Sequence, residues 1–150
     1  MHEITNLYPK LHFTPHDRFI YSPSLQTVFY DESQTSTDQG KASLLHEIGH
    51  AHYEHNSYSS DIELLNMEVE AWIFARNAAG EMGLKVDDAH IHNCLESYRF
   101  WLYKRSRCPE CEHHGIQTKP TRYRCFICLH QWKVSLRLSL RPRRLACLPL

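Results

Sequence analysis

The chain has no long apolar run. Its 150 residues contain no stretch of 18 consecutive apolar side chains, whereas a helix that crosses a membrane needs about 20. The first residues, MHEITNLYPKLHF, also lack the basic start and the apolar segment of a secretory signal. Both absences argue against a membrane or secreted protein, so we expect a cytoplasmic protein without a membrane partner.

The chain also has no net charge, but its charges do not balance locally. In total, 17 Lys and Arg oppose 17 Asp and Glu. Residues 1–98 hold 5 basic and 15 acidic side chains, whereas residues 99–150 hold 12 basic and 2 acidic ones. Such a split predicts two modules with different partners. The alternative is that the two oppositely charged segments simply attract each other.

Short β-favouring segments open the chain and three amphipathic helices follow. Residues 19–21 and 27–30 are rich in β-branched and aromatic side chains. Capping signals and apolar residues at helical spacing then predict helices over about residues 36–56, 60–83 and 88–105.

The first predicted helix contains the run His-Glu-Ile-Gly-His at residues 46–50. Residues four apart lie on one face of a helix, so His46 and His50 can offer ring nitrogens to one zinc ion. Glu47 lies beside the first ligand, where it can take a proton from a zinc-bound water whose pKa falls to about 7. The chain holds 12 histidines, so a chance match to this short motif is not rare. The motif is informative here because it lies on a predicted helix with a capping signal.

A catalytic zinc ion needs a third protein ligand and an open position. His52 and His55 are too close to His50 in the chain to face the same ion if the helix continues. Carboxylates of the second predicted helix are the other candidates: Glu63, Glu68 and Glu70. Helix geometry alone leaves Glu68 and Glu70 as alternatives. Polar residues that could stabilise an oxyanion follow the motif: His52, Tyr53, His55 and Tyr58.

The run HEIGH followed by EVEAWIFA resembles the ImmA/IrrE family of metallo-endopeptidases, over about residues 15–80. That family shows HExxH and then Glu-x-x-Ala-Asn-x-Phe-Ala. The resemblance implies that Glu68 is the third ligand, with Glu70 as the alternate. Trp72 stands where the family pattern has Asn, which removes one acceptor to which a zinc-binding histidine could donate a hydrogen bond.

The same resemblance implies more than the ligands. It implies a zincin-like fold, with a small sheet beside the HExxH helix. It also implies a peptidase that cleaves a repressor-like DNA-binding regulator, of the kind that prophages and integrative elements encode.

Four of the six cysteines form two pairs, Cys108-Pro-Glu-Cys111 and Cys125-Phe-Ile-Cys128. In a chain without a secretory signal, this spacing predicts a four-cysteine zinc site in a zinc ribbon whose folding depends on the metal. Strict alternation from 133 to 141 predicts a strand that Pro142 ends. Basic and aromatic residues surround the second pair: Lys119, Arg122, Tyr123, Arg124, Trp132, Lys133, Arg137, Arg141, Arg143 and Arg144. They suit nucleic-acid binding or docking of a protein partner equally.

Together with this resemblance, the sequence predicts a zincin-like α+β metallopeptidase domain over residues 1–106, with a small sheet and three helices. A zinc ribbon over 107–141 and a basic tail over 142–150 follow. We expect two zinc ions, one catalytic and one structural, and a protein substrate, namely a repressor-like regulator of a prophage or mobile element.

Two other functions are compatible with the same residues. A DNA-associated protease of the SprT-like kind also joins HExxH to a C-terminal zinc ribbon, but usually has a third histidine ligand, against which the Glu68-x-x-Ala71 context argues. The other is a non-catalytic adaptor that binds nucleic acid or protein through its ribbon.

Overall fold

The computed structural model describes residues 2–135 and 144–146. Within these ranges the chain forms an α+β structure with four α-helices and two small sheets. Its helices and strands, in chain order, are α1 (His2–Leu7), β1 (His12–His16), β2 (Ile20–Ser22), β3 (Thr27–Asp31), α2 (Asp38–His52), α3 (Asp61–Glu81), α4 (Asp88–Ser106), β4 (Gly115–Lys119), β5 (Arg122–Cys125), β6 (Gln131–Val134) and β7 (Arg144–Ala146). None of the described helices combines the length and apolarity needed to cross a membrane.

The chain divides into two compact units. Unit 1 comprises Met1–Ser57 with Asn66–His92, and unit 2 comprises Tyr58–Leu65 with Asn93–Leu150. The division runs through α3 and α4, so both units contain helical residues as well as a sheet. The domain boundaries predicted after residues 106 and 141 stay predictions.

Unit 1 contains a three-stranded sheet in the order β1-β3-β2. β2 and β3 are antiparallel and confirm the two predicted strands, whereas β1, which is parallel to β3, was not predicted. Pro15 lies in β1 opposite Tyr30. Proline cannot donate a ladder hydrogen bond and is tolerated in strands at sheet edges, which is where β1 lies.

The three predicted helices are confirmed as α2, α3 and α4. The N-cap of α2 is Thr37, whose Oγ1 accepts from the backbone N–H of Gly40, one residue beyond the predicted cap. Buried apolar residues of α2 include Leu44, Leu45 and Ile48. Gly40 has no room for a side chain, because a Cβ there would lie 1.9 Å from the carbonyl oxygen of Gln34.

Unit 2 contains the antiparallel sheet β4-β5-β6-β7. One of its faces is buried, and its core consists of Cys108, Tyr123, Cys125, Trp132 and Val134. The aromatic residues that the sequence suggested for nucleic-acid stacking are thus 2% and 0% exposed for Tyr123 and Trp132. The strand predicted from 133 to 141 is found in β6 only as far as Val134. Its residues 136–141 lie outside the described residues, as do 142, 143 and 147–150 of the tail.

A fully hydrogen-bonded charge pair is buried in unit 2. Arg105 donates from Nε to Oδ2 of Asp61 at 2.6 Å and from a terminal nitrogen to Oδ1 at 3.2 Å, and both side chains are 1% exposed. The hydroxyl of Tyr123 also donates to this carboxylate, and Gln117 accepts from the backbone N–H of Asp61 at 2.8 Å. The indole N–H of Trp132 donates to the carbonyl of Arg105 at 2.9 Å. The pair therefore joins the first turn of α3, the end of α4 and the ribbon sheet.

Replacing Arg105 by Met is expected to lower the free energy of unfolding by about 3–5 kcal/mol, because Asp61 then stays buried without its counter-charge. Urea denaturation of the zinc-loaded chain measures the loss. The matched control is Arg99→Met, which removes an exposed ion pair with Glu96 and should cost about 0–1 kcal/mol. Equal losses in the two variants would contradict this account.

Candidate metal centres

Two clusters of metal-ligand side chains occur among the described residues, one in each unit. The first joins His46 and His50 of α2 to Glu68 of α3. The Nε2 atoms of the histidines are 3.1 Å apart, and they lie 3.2 Å (His46) and 3.6 Å (His50) from the carboxylate oxygens of Glu68. A tetrahedral zinc ion with bonds of about 2.0–2.1 Å separates its ligand atoms by about 3.3 Å. The cluster therefore has the dimensions of a zinc site.

The close approach of α2 to α3 produces this convergence. A Cβ on Gly49 would lie 2.9 Å from the carbonyl oxygen of Ala71 and 3.0 Å from its Cα, so glycine is needed at the crossing. Gly49 directly precedes the ligand His50, and Glu68 lies one helical turn before Ala71. The glycine of the HEIGH run thus sets the spacing between ligands on different helices.

The polar atoms of the cluster fit a cation. Oε2 of Glu68 is buried and makes no hydrogen bond within the described residues, although it lies close to His46. Burial would raise the pKa of the Glu68 carboxyl, but the two imidazoles outweigh it and lower that pKa to about 2. A buried carboxylate that remains charged beside two imidazole nitrogens is a suitable donor set for zinc.

Glu47 lies beside this cluster but is not a member of it. The backbone N–H of Tyr21 in β2 donates to Oε2 of Glu47 at 2.7 Å. Burial raises the pKa of the Glu47 carboxyl above its ordinary value, against the opposing influence of His46, His50 and the Tyr21 amide. A carboxylate that has a raised pKa, and that makes no hydrogen bond to the cluster within the described residues, is suited to accepting a proton.

The structure brings Glu68, and not the alternate Glu70, to the two histidines. Glu70 is 54% exposed, and its Oε2 lies 3.2 Å from Nε2 of His55. Glu63 is exposed and accepts from the backbone N–H and hydroxyl of Ser59. Helix periodicity alone could not choose among these carboxylates. The crossing of α2 and α3 at Gly49 decides which of them lies beside the histidines.

His46 and His50 have different surroundings. The ring of Trp72 packs against the ring of His46 with centroids 4.3 Å apart, and Nδ1 of His46 has no hydrogen-bond partner among the described residues. Nδ1 of His50, by contrast, lies 2.9 Å from Nδ1 of His55. One histidine of the cluster thus has an aromatic neighbour, whereas the other has a polar one.

His55 reaches His50 because α2 ends in a sharp reversal. The N–H of His55 donates to the carbonyl of His50, the N–H of Glu54 donates to that of Ala51, and Glu54 has a φ of 56°. This is a Schellman arrangement, in which a left-handed residue turns the chain back on its helix. The sequence predicted a helix that continues and would carry His55 away from the site, and no glycine marks the reversal.

The second cluster contains all four cysteines of the predicted ribbon. Its Sγ atoms are separated by 3.4 Å (Cys111 to Cys128), 3.5 Å (Cys111 to Cys125) and 3.6 Å (Cys108 to Cys128). Disulfide sulfurs are about 2.0 Å apart, whereas tetrahedral thiolates on zinc at about 2.3 Å lie about 3.8 Å apart. The separations therefore fit a metal site and exclude disulfides.

The two cysteine pairs have the same backbone geometry. The N–H of Cys108 donates to the carbonyl of His113, and the N–H of Cys125 donates in the same way to His130. The residue after each pair, Glu112 or Leu129, has a φ of 62°. Two equal knuckles facing each other are typical of a structural zinc ribbon site.

A pocket of about 480 Å³ lies in unit 1 next to Glu47. Ile48 and Ala51 of α2 line it, and so does Tyr21, whose backbone N–H contacts Glu47. Ala51 lies one helical turn after Glu47, although Glu47 and the cluster residues do not themselves line the pocket.

Comparison with known proteins gives no relative for the chain. No protein-family model, no curated protein and no solved structure matches it. Its function must therefore be argued from the two clusters and from the residues around them.

Zinc affinity at the His46, His50 and Glu68 cluster is expected to rise with pH from about 6 to 8. Burial alone would lower the pKa of His50, but Glu68 raises it above 6.5, so zinc must displace a proton from this ring. Glu68 stays ionised over the whole range and adds no pH dependence. Competition with a chromophoric chelator, in chains whose four-cysteine site is already filled, measures the affinity. A pH-independent value would contradict the assignment of His50 as the proton-competing ligand.

Proposed function

We propose that the chain is a zinc-dependent endopeptidase. The observation that carries this proposal is the convergence of His46, His50 and Glu68 at distances suited to one zinc ion, with Glu47 beside them. Two histidines and one glutamate are a ligand set of catalytic zinc sites, which keep a further position for water or substrate.

Each residue then has a distinct part in peptide hydrolysis. Zinc, when bound, would polarise the peptide carbonyl and lower the pKa of a bound water to about 7. Glu47 would take the proton of the attacking water and deliver it to the leaving amine. The Tyr21 amide holds one oxygen of Glu47, Oε2, and so leaves Oε1 for the proton transfer.

The surroundings of Glu47 suit an extended peptide. β2 is an edge strand, and within the described residues no other strand pairs with its outer side. Open strand edges bind extended peptides by adding a strand to the sheet. The middle residue of β2, Tyr21, contacts Glu47 and lines the adjacent pocket, which would receive a substrate side chain.

For the substrate, we propose a repressor-like DNA-binding protein of a prophage or mobile element. This step is supported by the resemblance of residues 46–50 and 68–75 to the ImmA/IrrE family. The SprT-like alternative is disfavoured, because the residue that meets the two histidines is a glutamate.

For the ribbon, we propose contact with the phosphate backbone of nucleic acid. Four cations are exposed on one face of β4–β6, at paired register positions: Lys119, Arg122, Arg124 and Lys133. Ile116 and Gln131 complete this face, so it holds no acidic residue. Tyr123 and Trp132 are buried on the opposite face. Without exposed aromatic residues to stack on bases, such a surface binds charge rather than sequence.

Replacing Glu47 by Gln is expected to lower peptide hydrolysis by about 10²–10⁴-fold while both zinc ions stay bound, because only the proton acceptor is lost. The assay follows cleavage of a candidate repressor from the same genetic element, and of casein as a general substrate, with zinc counted in each preparation. Glu81→Gln, a change in an exposed glutamate at the end of α3, is the control and should retain activity. Equal cleavage by wild type and Glu47→Gln would contradict the mechanism, and a single zinc ion per chain would favour the adaptor.

Replacing both Arg122 and Lys133 by Ala is expected to weaken oligonucleotide binding. The slope of the logarithm of the binding constant against the logarithm of the salt concentration should become shallower by about 1 for each phosphate that is no longer neutralised. Binding of labelled oligonucleotides of unrelated sequence at several salt concentrations measures this slope. Arg18→Ala, which removes an exposed cation of unit 1, is the control. An unchanged slope, or strong sequence preference, would contradict the proposal. Binding of an acidic polypeptide but not of DNA would assign this face to protein docking.

A further inference from the structure

We infer that His55 and Glu70 form a hydrogen-bonded relay that positions the ligand His50. This inference rests on the proposed function, because it concerns the same zinc site. His50 Nδ1 lies 2.9 Å from His55 Nδ1, and His55 Nε2 lies 3.2 Å from Oε2 of Glu70. The three side chains thus lead from the metal site to the surface, where Glu70 is 54% exposed.

The proton positions in this relay follow from the metal. A zinc-bound His50 offers the Nε2 lone pair, so its one proton is on Nδ1 and is donated to His55. Nδ1 of His55 therefore accepts, and the proton of that ring is on Nε2, which faces Glu70. Two neutral imidazoles and one carboxylate satisfy every contact of the relay, with one proton for each ring. Reversing either ring would place two protons or two lone pairs against each other.

The backbone holds His55 in this position. The Schellman reversal ties the N–H of His55 to the carbonyl of His50 itself at 3.0 Å. Tyr53 stacks on the His55 ring with an angle of 22° between the planes, and the His55 side chain is only 8% exposed. The ring is thus fixed by a main-chain bond and by packing before any metal binds, which lowers the entropic cost of orienting His50.

The relay is not duplicated at the other histidine. Nδ1 of His46 has no hydrogen-bond partner among the described residues, and Trp72 packs against its ring instead. Outer hydrogen bonds to zinc-binding histidines typically contribute about 10–100-fold in metal affinity. At this site, an outer hydrogen bond can therefore raise the metal affinity only at His50, where its partner is His55.

The test compares variants of His55 for zinc binding. His55→Phe removes the acceptor and keeps a ring, whereas His55→Asn keeps an acceptor oxygen near the position of Nδ1. We expect Phe to lower zinc affinity at this cluster by about 10–100-fold and Asn to restore most of it. Glu70→Gln should lower the affinity less than His55→Phe, because a neutral acceptor remains. Glu81→Gln, a change in an exposed glutamate at the end of α3, is the control and should leave the affinity unchanged.

Affinity is measured by chelator competition in the full chain, and the four-cysteine site serves as an internal reference that no variant should alter. Visible absorption of cobalt at the histidine cluster gives a second readout, which should change in His55→Phe and return in His55→Asn. Unchanged affinity in His55→Phe, or equal loss in Phe and Asn, would overturn the relay while leaving the endopeptidase proposal intact. Wild-type chain that binds zinc only at the cysteines would overturn both proposals.

Discussion

The crossing of α2 and α3 at Gly49 is the constraint on which the candidate active site depends. A side chain at residue 49 would collide with the backbone of Ala71, so any larger residue would push α3 away from α2. Glu68 would then leave the two histidines, because it is carried on the displaced helix one turn before Ala71. A shift of about 1 Å is enough to spoil zinc geometry, since bond lengths vary by only about 0.2 Å. The glycine in the motif therefore contributes no ligand and no proton acceptor, but it fixes the distance across which ligands on separate helices meet.

The Asp61 network of unit 2 and the histidine cluster of unit 1 differ in how well their buried polar groups are satisfied. In unit 2, the carboxylate of Asp61 receives hydrogen bonds from Arg105 and Tyr123. A network satisfied in this way has little to gain from a ligand, and it stabilises the fold. In unit 1, Oε2 of Glu68 and Nδ1 of His46 are buried without a hydrogen-bond partner among the described residues. An unsatisfied buried group costs free energy, and a cation at Glu68 would offset that cost.

Local spacing predicted those parts of the structure that depend on neighbours in the chain. The three longer helices, the His46 and His50 pair and the four cysteines all follow from short-range patterns. The choice of Glu68 over Glu70 needed the crossing at Gly49, which is a tertiary contact. His55 escaped prediction because Glu54 takes a left-handed conformation without being glycine, so nothing in the sequence announced the reversal. The strand β1 was not predicted, because a proline such as Pro15 normally interrupts a strand and is tolerated at a sheet edge, a position that the sequence alone does not reveal. The burial of Tyr123 and Trp132, by contrast, could have been predicted from the sequence. Each aromatic residue alternates with basic residues (Arg122 and Arg124 in β5, Lys133 in β6), and alternate residues of a strand face opposite sides of a sheet.

The two donor sets would suit the same metal to two purposes. Four thiolates are soft and would close around their ion, so zinc there would be retained as part of the structure. Two imidazoles and a carboxylate form a harder set, and one of these imidazoles must lose a proton before it binds. Thiolates and imidazoles both have to be deprotonated to bind zinc, so protons compete at each site, but the histidine cluster lies in unit 1, outside the ribbon. If the endopeptidase proposal holds, scarcity of zinc would empty the catalytic cluster first and leave a folded, inactive chain whose basic ribbon face still presents its four cations.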